Sequence, residues 1–204
     1  MSLFKKLFGK EKAEIAPASG LATYASKIYP WVKVRPEDTP GKPAAHVITL
    51  SGEDQPVYEP WLGGLLITYV EDSGNSFRMI LNRDLPEGFT KAQLHELALA
   101  NIKRDIGFEV RQTHFGGYGL IAGGNHEAAS ICLPELWKEF ARQLSDDIVV
   151  AVPAKDLVLY VPGSDGEAIT KLREGVEEVF QSCDRLLTKR LFRFDKESNN
   201  WSML

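Results

Sequence analysis

The side chains with the widest chemical range in this 204-residue chain are four histidines, His46, His95, His114 and His126, two of them followed directly by a glutamate. His95-Glu96 begins like the HExxH zinc signature, in which two histidines one helical turn apart bind the metal and the glutamate serves as base. Leu99 stands where the second histidine is required, and Ser130 stands there after His126-Glu127, so neither stretch is that motif. His114 and His126 lie near opposite ends of one predicted hairpin. Brought together with Glu127, they could bind a metal or share the proton transfers of a hydrolase. The plainer reading, polar residues at loop edges, is the commoner fate of such groups and is preferred. No catalytic residue and no metal site are assigned; His114, His126 and Glu127 are the candidates an enzyme would use.

The loops give fewer options. Gly116-Gly117-Tyr118-Gly119 and Gly123-Gly124 bracket a strand, but the spacing of the dinucleotide fingerprint fails and no GxxxxGK[ST] run exists. These glycines read as turn residues. Ser130 lacks the GxSxG elbow, and Ser164 sits in a plain turn that can cap a helix. Pro153-Ala154-Lys155-Asp156 is more promising, because a turn between two rigid strands is a good mount for a site. Lys155 and Asp156 could receive a polar ligand there; a solvated turn is the stronger alternative. Asn101, on the apolar side of a predicted helix, is a third ligand-binding candidate. Its amide is expected to bond a strand-end backbone group. No cofactor is expected.

The elements that would position these residues are organised around Ile148–Val152 and Leu157–Val161. Both are short unbroken apolar runs rich in β-branched residues and bounded by turn formers. Strands with no polar alternation are covered on both faces, so this hairpin belongs inside a sheet. Before it, Leu65–Val70 and Phe77–Leu81 read as strands, as do Phe108–His114 and Tyr118–Ala122. Thr90 caps a helix with Gln93 at the capping-box position and Leu94, Leu97, Ala98, Asn101 and Ile102 on one side. Pro134–Gln143 is a helix with proline at its first position, residues 127–132 being open between helix and strand. Gly166–Ser182 is a third helix, and Leu186–Phe194 reads as an edge strand guarded by charges. Ala22–Val34 is ambiguous but expected to pack on the core, and Ala45–Leu50 could be a short strand. Hairpin-then-helix units (ββα) thus follow one another three times. The fold class is α+β: an antiparallel or mixed sheet of roughly six to eight strands with helices packed on it.

Composition bounds the rest. A chain with 44% hydrophobic residues and this length can form one sizeable core. Twenty-four basic against 28 acidic residues, a net charge of −4, give no field for wrapping nucleic acid, and none is expected as partner. Cys132 and Cys183 are too few for a disulfide framework, and Cys132 reads as a buried reduced thiol. No apolar run approaches the ~20 residues that span a bilayer. Residues 1–20 read as an amphipathic arm and linker, with Leu3, Phe4, Leu7 and Phe8 on one helical face among lysines. Membrane contact through that face is conceivable; a terminal helix that is marginal alone is preferred. Residues 21–204 are expected to form a single α+β domain, and the chain to be cytoplasmic.

Several stretches carry a resemblance: Leu94-His95-Glu96-Leu97-Ala98-Leu99-Ala100-Asn101, Gly124-Asn125-His126-Glu127-Ala128-Ala129-Ser130, and Leu133-Pro134-Glu135-Leu136-Trp137. With them go Val150-Ala151-Val152-Pro153-Ala154-Lys155-Asp156 and Arg190-Leu191-Phe192-Arg193-Phe194. Over about residues 58–195 the chain resembles the YtpQ-like family of bacterial proteins, a domain of unknown function. The resemblance implies a bacterial, cytoplasmic protein and carries over no catalytic residue. Two functional readings follow. The preferred one is a non-catalytic binding or adaptor protein with an unidentified protein partner. The alternative is a hydrolase, metal-assisted or acid–base, built on His114, His126 and Glu127.

Overall fold

The computed structural model describes residues 21–40 and 52–204. Two antiparallel sheets share one apolar core. The first contains β1 (Ile28–Val34), β2 (Tyr58–Pro60), β3 (Leu65–Asp72) and β4 (Phe77–Met79). β3 is its centre: β1 runs along one side, while β2 and β4 divide the other. The second sheet comprises β5 (Glu109–Gln112), β6 (Tyr118–Ile121), β7 (Ile148–Ala154), β8 (Leu157–Pro162), β9 (Leu191–Phe194) and β10 (Trp201–Met203). Its order is β10-β9-β7-β8-β6-β5. Three α-helices, α1 (Lys91–Asp105), α2 (Pro134–Leu144) and α3 (Gly166–Ser182), and several short 3-10 helices complete the described elements.

The β7–β8 hairpin is the interior element that its apolar runs predict. Every residue of β7 is buried, and β8 is buried through its middle. Alternation divides the side chains between two layers. Ile148, Val150, Val152, Val158 and Tyr160 face the main core, with Trp137 and Phe140 of α2 packed on Tyr160. Val149, Ala151, Leu159 and Val161 face the opposite way, onto Ala168, Leu172 and Val176 of α3. Each large aliphatic side chain buried this way contributes about 1.5–3 kcal/mol, so a polar residue on either layer would break the sheet at its centre.

α1 begins as its sequence dictates. The Thr90 hydroxyl accepts from the Gln93 amide at 3.2 Å and the Gln93 side chain accepts from the Thr90 amide at 2.8 Å. Its buried side is Leu94, Leu97, Ala98, Asn101 and Ile102. Residues 128–132 resolve the open segment: they form a short 3-10 helix, with Pro134 opening α2.

Two expectations are corrected, and a third falls outside the described residues. A single sheet of six to eight strands is replaced by two sheets of four and six. The reason lies in α1, which packs against β1 and so joins the hairpin β3–β4 to the N-terminal strand, away from the second sheet. The Leu186–Phe194 stretch is no edge: β9 is flanked by β7 and β10, and its Arg193 pairs with Asp147 at 3.1 Å. The element that displaces it to the interior, β10, is too short to be read from Trp201-Ser202-Met203. The expected N-terminal arm, with Leu3, Phe4, Leu7 and Phe8, lies outside the described residues, as do Ala45–Leu50 and His46. Among the described residues no helix is long and apolar enough to cross a membrane.

Candidate functional site: a cationic corner between the two sheets

Tyr29, Trp31 and Lys33 alternate along β1 and therefore project from one face of the first sheet. Trp31 lies opposite Thr68, whose hydroxyl donates to the Trp31 carbonyl at 2.8 Å. On the same face, Asp72 of β3 lies opposite Phe77 of β4. Trp31 packs on Phe77 with ring centres 4.5 Å apart, and Phe77 is 40% exposed, so this aromatic pair runs from the interior to solvent.

His126 closes the inner end of that pair. Its ring lies 5.1 Å from Tyr29, 6.0 Å from Trp31 and 6.4 Å from Phe77. Its Nε2 stands 3.9 Å from the Asp72 carboxylate, beyond hydrogen-bond length, and its buried Nδ1 has no partner. Burial lowers the imidazole's affinity for a proton, against the opposing pull of the Asp72 and Glu127 carboxylates. Neutral His126 is thus an aromatic wall whose buried Nδ1 is idle.

Glu127 has a different task. Its buried carboxylate accepts, through one oxygen, from the Ala122 and Gly124 amides at 2.7 Å each. It staples the loop that follows β6. The segment is then tied to the β7–β8 turn by the Ala128 amide, which donates to the Lys155 carbonyl at 3.1 Å.

Lys155 extends from that turn across the Trp31 ring, its Nζ 5.3 Å from the centroid. The geometry suits a cation–π contact. Burial first, then the like charges of Lys33 and Arg185, bring the ammonium down to about 8; Asp156 alone works the other way. Among the described residues neither Lys33 nor Lys155 has an ion-pair partner. Arg185 is placed by strain: its φ of 60° is left-handed, a region costing about 1 kcal/mol or more outside glycine. Its guanidinium donates to the Gly124 carbonyl at 2.9 Å and the Asn125 side chain at 3.1 Å, and lies 3.6 Å from Asp156.

The structure therefore brings two of the residues singled out by sequence, His126 and Lys155, onto a tryptophan that sequence reasoning did not select, with Glu127 and Asp156 next to them in the chain. Two others stand elsewhere. His114 is exposed beside Phe115 and lines a shallow groove with Lys171, Glu174 and Glu178 of α3, on the far side of the second sheet from His126. The three-residue cluster expected of His114, His126 and Glu127 is not formed. Among the described residues no group of three His, Cys, Asp or Glu side chains is placed to hold a metal ion. Asn101 spends its amide on the Ala25 and Ile28 carbonyls, at 2.7 and 2.8 Å, and fastens α1 to the start of β1. His95 sits beside a buried Tyr69 hydroxyl, 2.9 Å from its Nδ1, with Glu59 3.0 Å from the same hydroxyl. Burial raises both Tyr69 and the neighbouring Cys132 thiol, which keeps them neutral and makes this network a structural one.

Trp31, Lys33, Phe77 and Arg185 were missed. A signal for the first two exists in the alternation Tyr29, Trp31, Lys33, but Pro30 within the run hides the strand. Arg185 carries no sequence signal, since its position depends on one left-handed residue.

Comparison with known proteins gives one consistent likeness. The chain is similar to UPF0354 proteins of Bacillus: 33% identical over 97 residues to one from Bacillus cytotoxicus and 34% identical over 97 residues to those from Bacillus thuringiensis and Bacillus cereus. Each match covers 46% of this chain and 36% of the relative, so the matched region spans little over a third of those proteins. No family model matches the chain, and no solved structure does. The YtpQ-like resemblance read from the motifs is consistent with this likeness to the UPF0354 proteins.

Proposed function

We propose that this chain is a non-catalytic cytoplasmic binding protein and that its ligand seat is the corner formed by Trp31, Phe77 and Lys155. One observation carries the reading. A half-buried lysine rests on an aromatic ring without a carboxylate partner among the described residues, next to two further cations. A structural lysine lowers its energy by finding a counter-ion; one left in this state gains most when a ligand arrives. The finer architecture belongs to the same proposal: the described residues act as one α+β domain of recurring ββα units, which holds the turn bearing Lys155 rigid.

A second reading keeps an acid–base enzyme without His114. It is favoured by three buried atoms lacking partners within five residues of chain, His126 Nδ1, Glu127 Oε2 and Ser130 Oγ. Native mass spectrometry of the protein purified from its own cells separates the two. A bound mass present in the wild type and absent from Lys155→Gln supports binding at the corner. Turnover of a general ester or phosphoester panel that disappears in a folded His126→Gln variant overturns it in favour of the enzyme.

A further inference from the structure

The cations at this corner have a common focus. Lys33 reaches it from β1, Lys155 from the β7–β8 turn and Arg185 from the segment after α3. The three elements are far apart in sequence: the segment after α3 is hydrogen-bonded to the β7–β8 turn, and Lys33 joins them where one sheet packs on the other. Backbone contacts fix two of the three: the Lys155 amide donates to the Arg185 carbonyl at 3.2 Å, and the Leu187 amide donates to the Pro153 carbonyl at 2.8 Å. Arg185 is further held by its two contacts to residues 124 and 125. Asp156 is the carboxylate set against them, 3.6 Å from Arg185. Asp72 is directed to His126 instead, and its other oxygen accepts from the Gly74 amide at 2.7 Å. On Lys155 itself the like charges of Lys33 and Arg185 are opposed by Asp156, while Asp72 and Glu127 act on the His126 side of the corner.

Resting on the binding reading above, we propose that the corner takes a doubly charged oxyanion, a phosphate monoester group, between Lys33, Lys155 and Arg185. A phosphate group offers an oxygen to each of the three cations, whereas a carboxylate, with two oxygens, would leave one cation without a partner. Lysine and arginine together supply point charges and a planar fork, the usual donors to phosphate oxygens. The exposed flank of Phe77 beside Trp31 offers an apolar surface to whatever the phosphate is attached to. His126, neutral at pH 7, stays an aromatic wall in this arrangement.

The test is calorimetric titration of the full chain with inorganic phosphate at pH 7, in parallel with acetate. Saturable phosphate binding is expected, with acetate at least tenfold weaker. Lys155→Gln and Lys33→Gln each weaken phosphate binding about tenfold, and Lys189→Gln, a surface lysine paired with Glu177 at the distant α3, leaves it unchanged. A parallel arm with phosphatidylcholine vesicles containing phosphatidic acid distinguishes the sources. Lys155-dependent vesicle binding puts the phosphate on a lipid headgroup, and phosphate binding without it puts the phosphate on a soluble ester. Equal loss in Lys189→Gln, or no saturable binding in either arm, overturns the oxyanion assignment. If in that case the native protein still carries a Lys155-dependent bound mass, the binding reading stands and only the ligand class is wrong; if it carries none, both fall.

Discussion

Glu127 and His126 are neighbours in sequence with opposite physical roles, and each role has a distinct consequence. Glu127 satisfies one buried and one half-buried amide through a single oxygen. Glu127→Ala strands both, and an unsatisfied buried group costs about 1–3 kcal/mol; the variant is expected to lose about 2–4 kcal/mol in urea denaturation, with the loop after β6 exchanging its amide hydrogens first. An unchanged midpoint would mean that the carboxylate does not hold the loop. For His126 the sign of the pH effect follows from burial, which lowers its folded pKa below the ordinary value. As pH falls, the unfolded chain takes up the proton first, at about 6.5. Its contribution is therefore fully present above that pH and is lost as pH drops towards the folded value. His126→Phe retains the aromatic wall, so it should be nearly as stable as wild type at pH 7.5 and more stable than it at pH 5. Stability curves of the two proteins that run parallel from pH 7.5 to 5 would refute the neutral, buried histidine.

Elements differ in how far they announce themselves. The interior hairpin and all three helices are legible because their signals are local. Unbroken β-branched runs mark β7 and β8, the Thr90–Gln93 box marks α1, Pro134 marks α2, and an apolar stripe through Leu172 and Val176 marks α3. β9 misleads because Arg190 and Arg193 look like edge guards, when in fact an interior strand can carry an arginine whose partner, Asp147, sits at the start of the neighbouring strand. The β5–β6 connection shows the same limit in reverse. Gly117 reads as a turn glycine, yet its constraint is a tertiary one: a Cβ there would lie 2.8 Å from Val161 Cγ1 and 3.1 Å from the Tyr160 carbonyl. Phe115 Cε2 would be nearer still, at 2.5 Å, and although that ring can turn aside the β8 atoms cannot, so Gly117→Ala should cost about 1–3 kcal/mol, as overpacking does. Thermal unfolding would register this as a lowered midpoint, whereas Gly88→Ala, with open space around it, tests only the backbone preference for positive φ.

At the scale of the molecule, the candidate site exists because two sheets meet. The α+β class is readable from the alternation of strands and helices, but the division into sheets is decided by which partner α1 covers. That is a long-range choice with no local signature. For the same reason Lys155 and Asp156 can be singled out as a rigidly mounted turn while their surroundings cannot: Trp31 and Lys33 are over 120 residues earlier, and Arg185 depends on a single left-handed backbone angle. His114 and His126 illustrate the converse. Closeness in sequence suggests a cluster, and the sheet then places them on opposite sides. The likeness to UPF0354 proteins of Bacillus covers less than half of this chain, and the physical content of the corner stands independently of it.

What the whole account depends on is a Lys155 ammonium held down first by burial and then by like charges, and this can be read directly. Lysine side-chain carbons labelled with 13C allow the Lys155 ammonium to be titrated by NMR in the full chain, its signal assigned by Lys155→Gln. The structure predicts a midpoint near 8, displaced upwards on adding phosphate. An ordinary lysine midpoint of about 10.4, the same with and without phosphate, would contradict both the buried cation and the seat it is held to form.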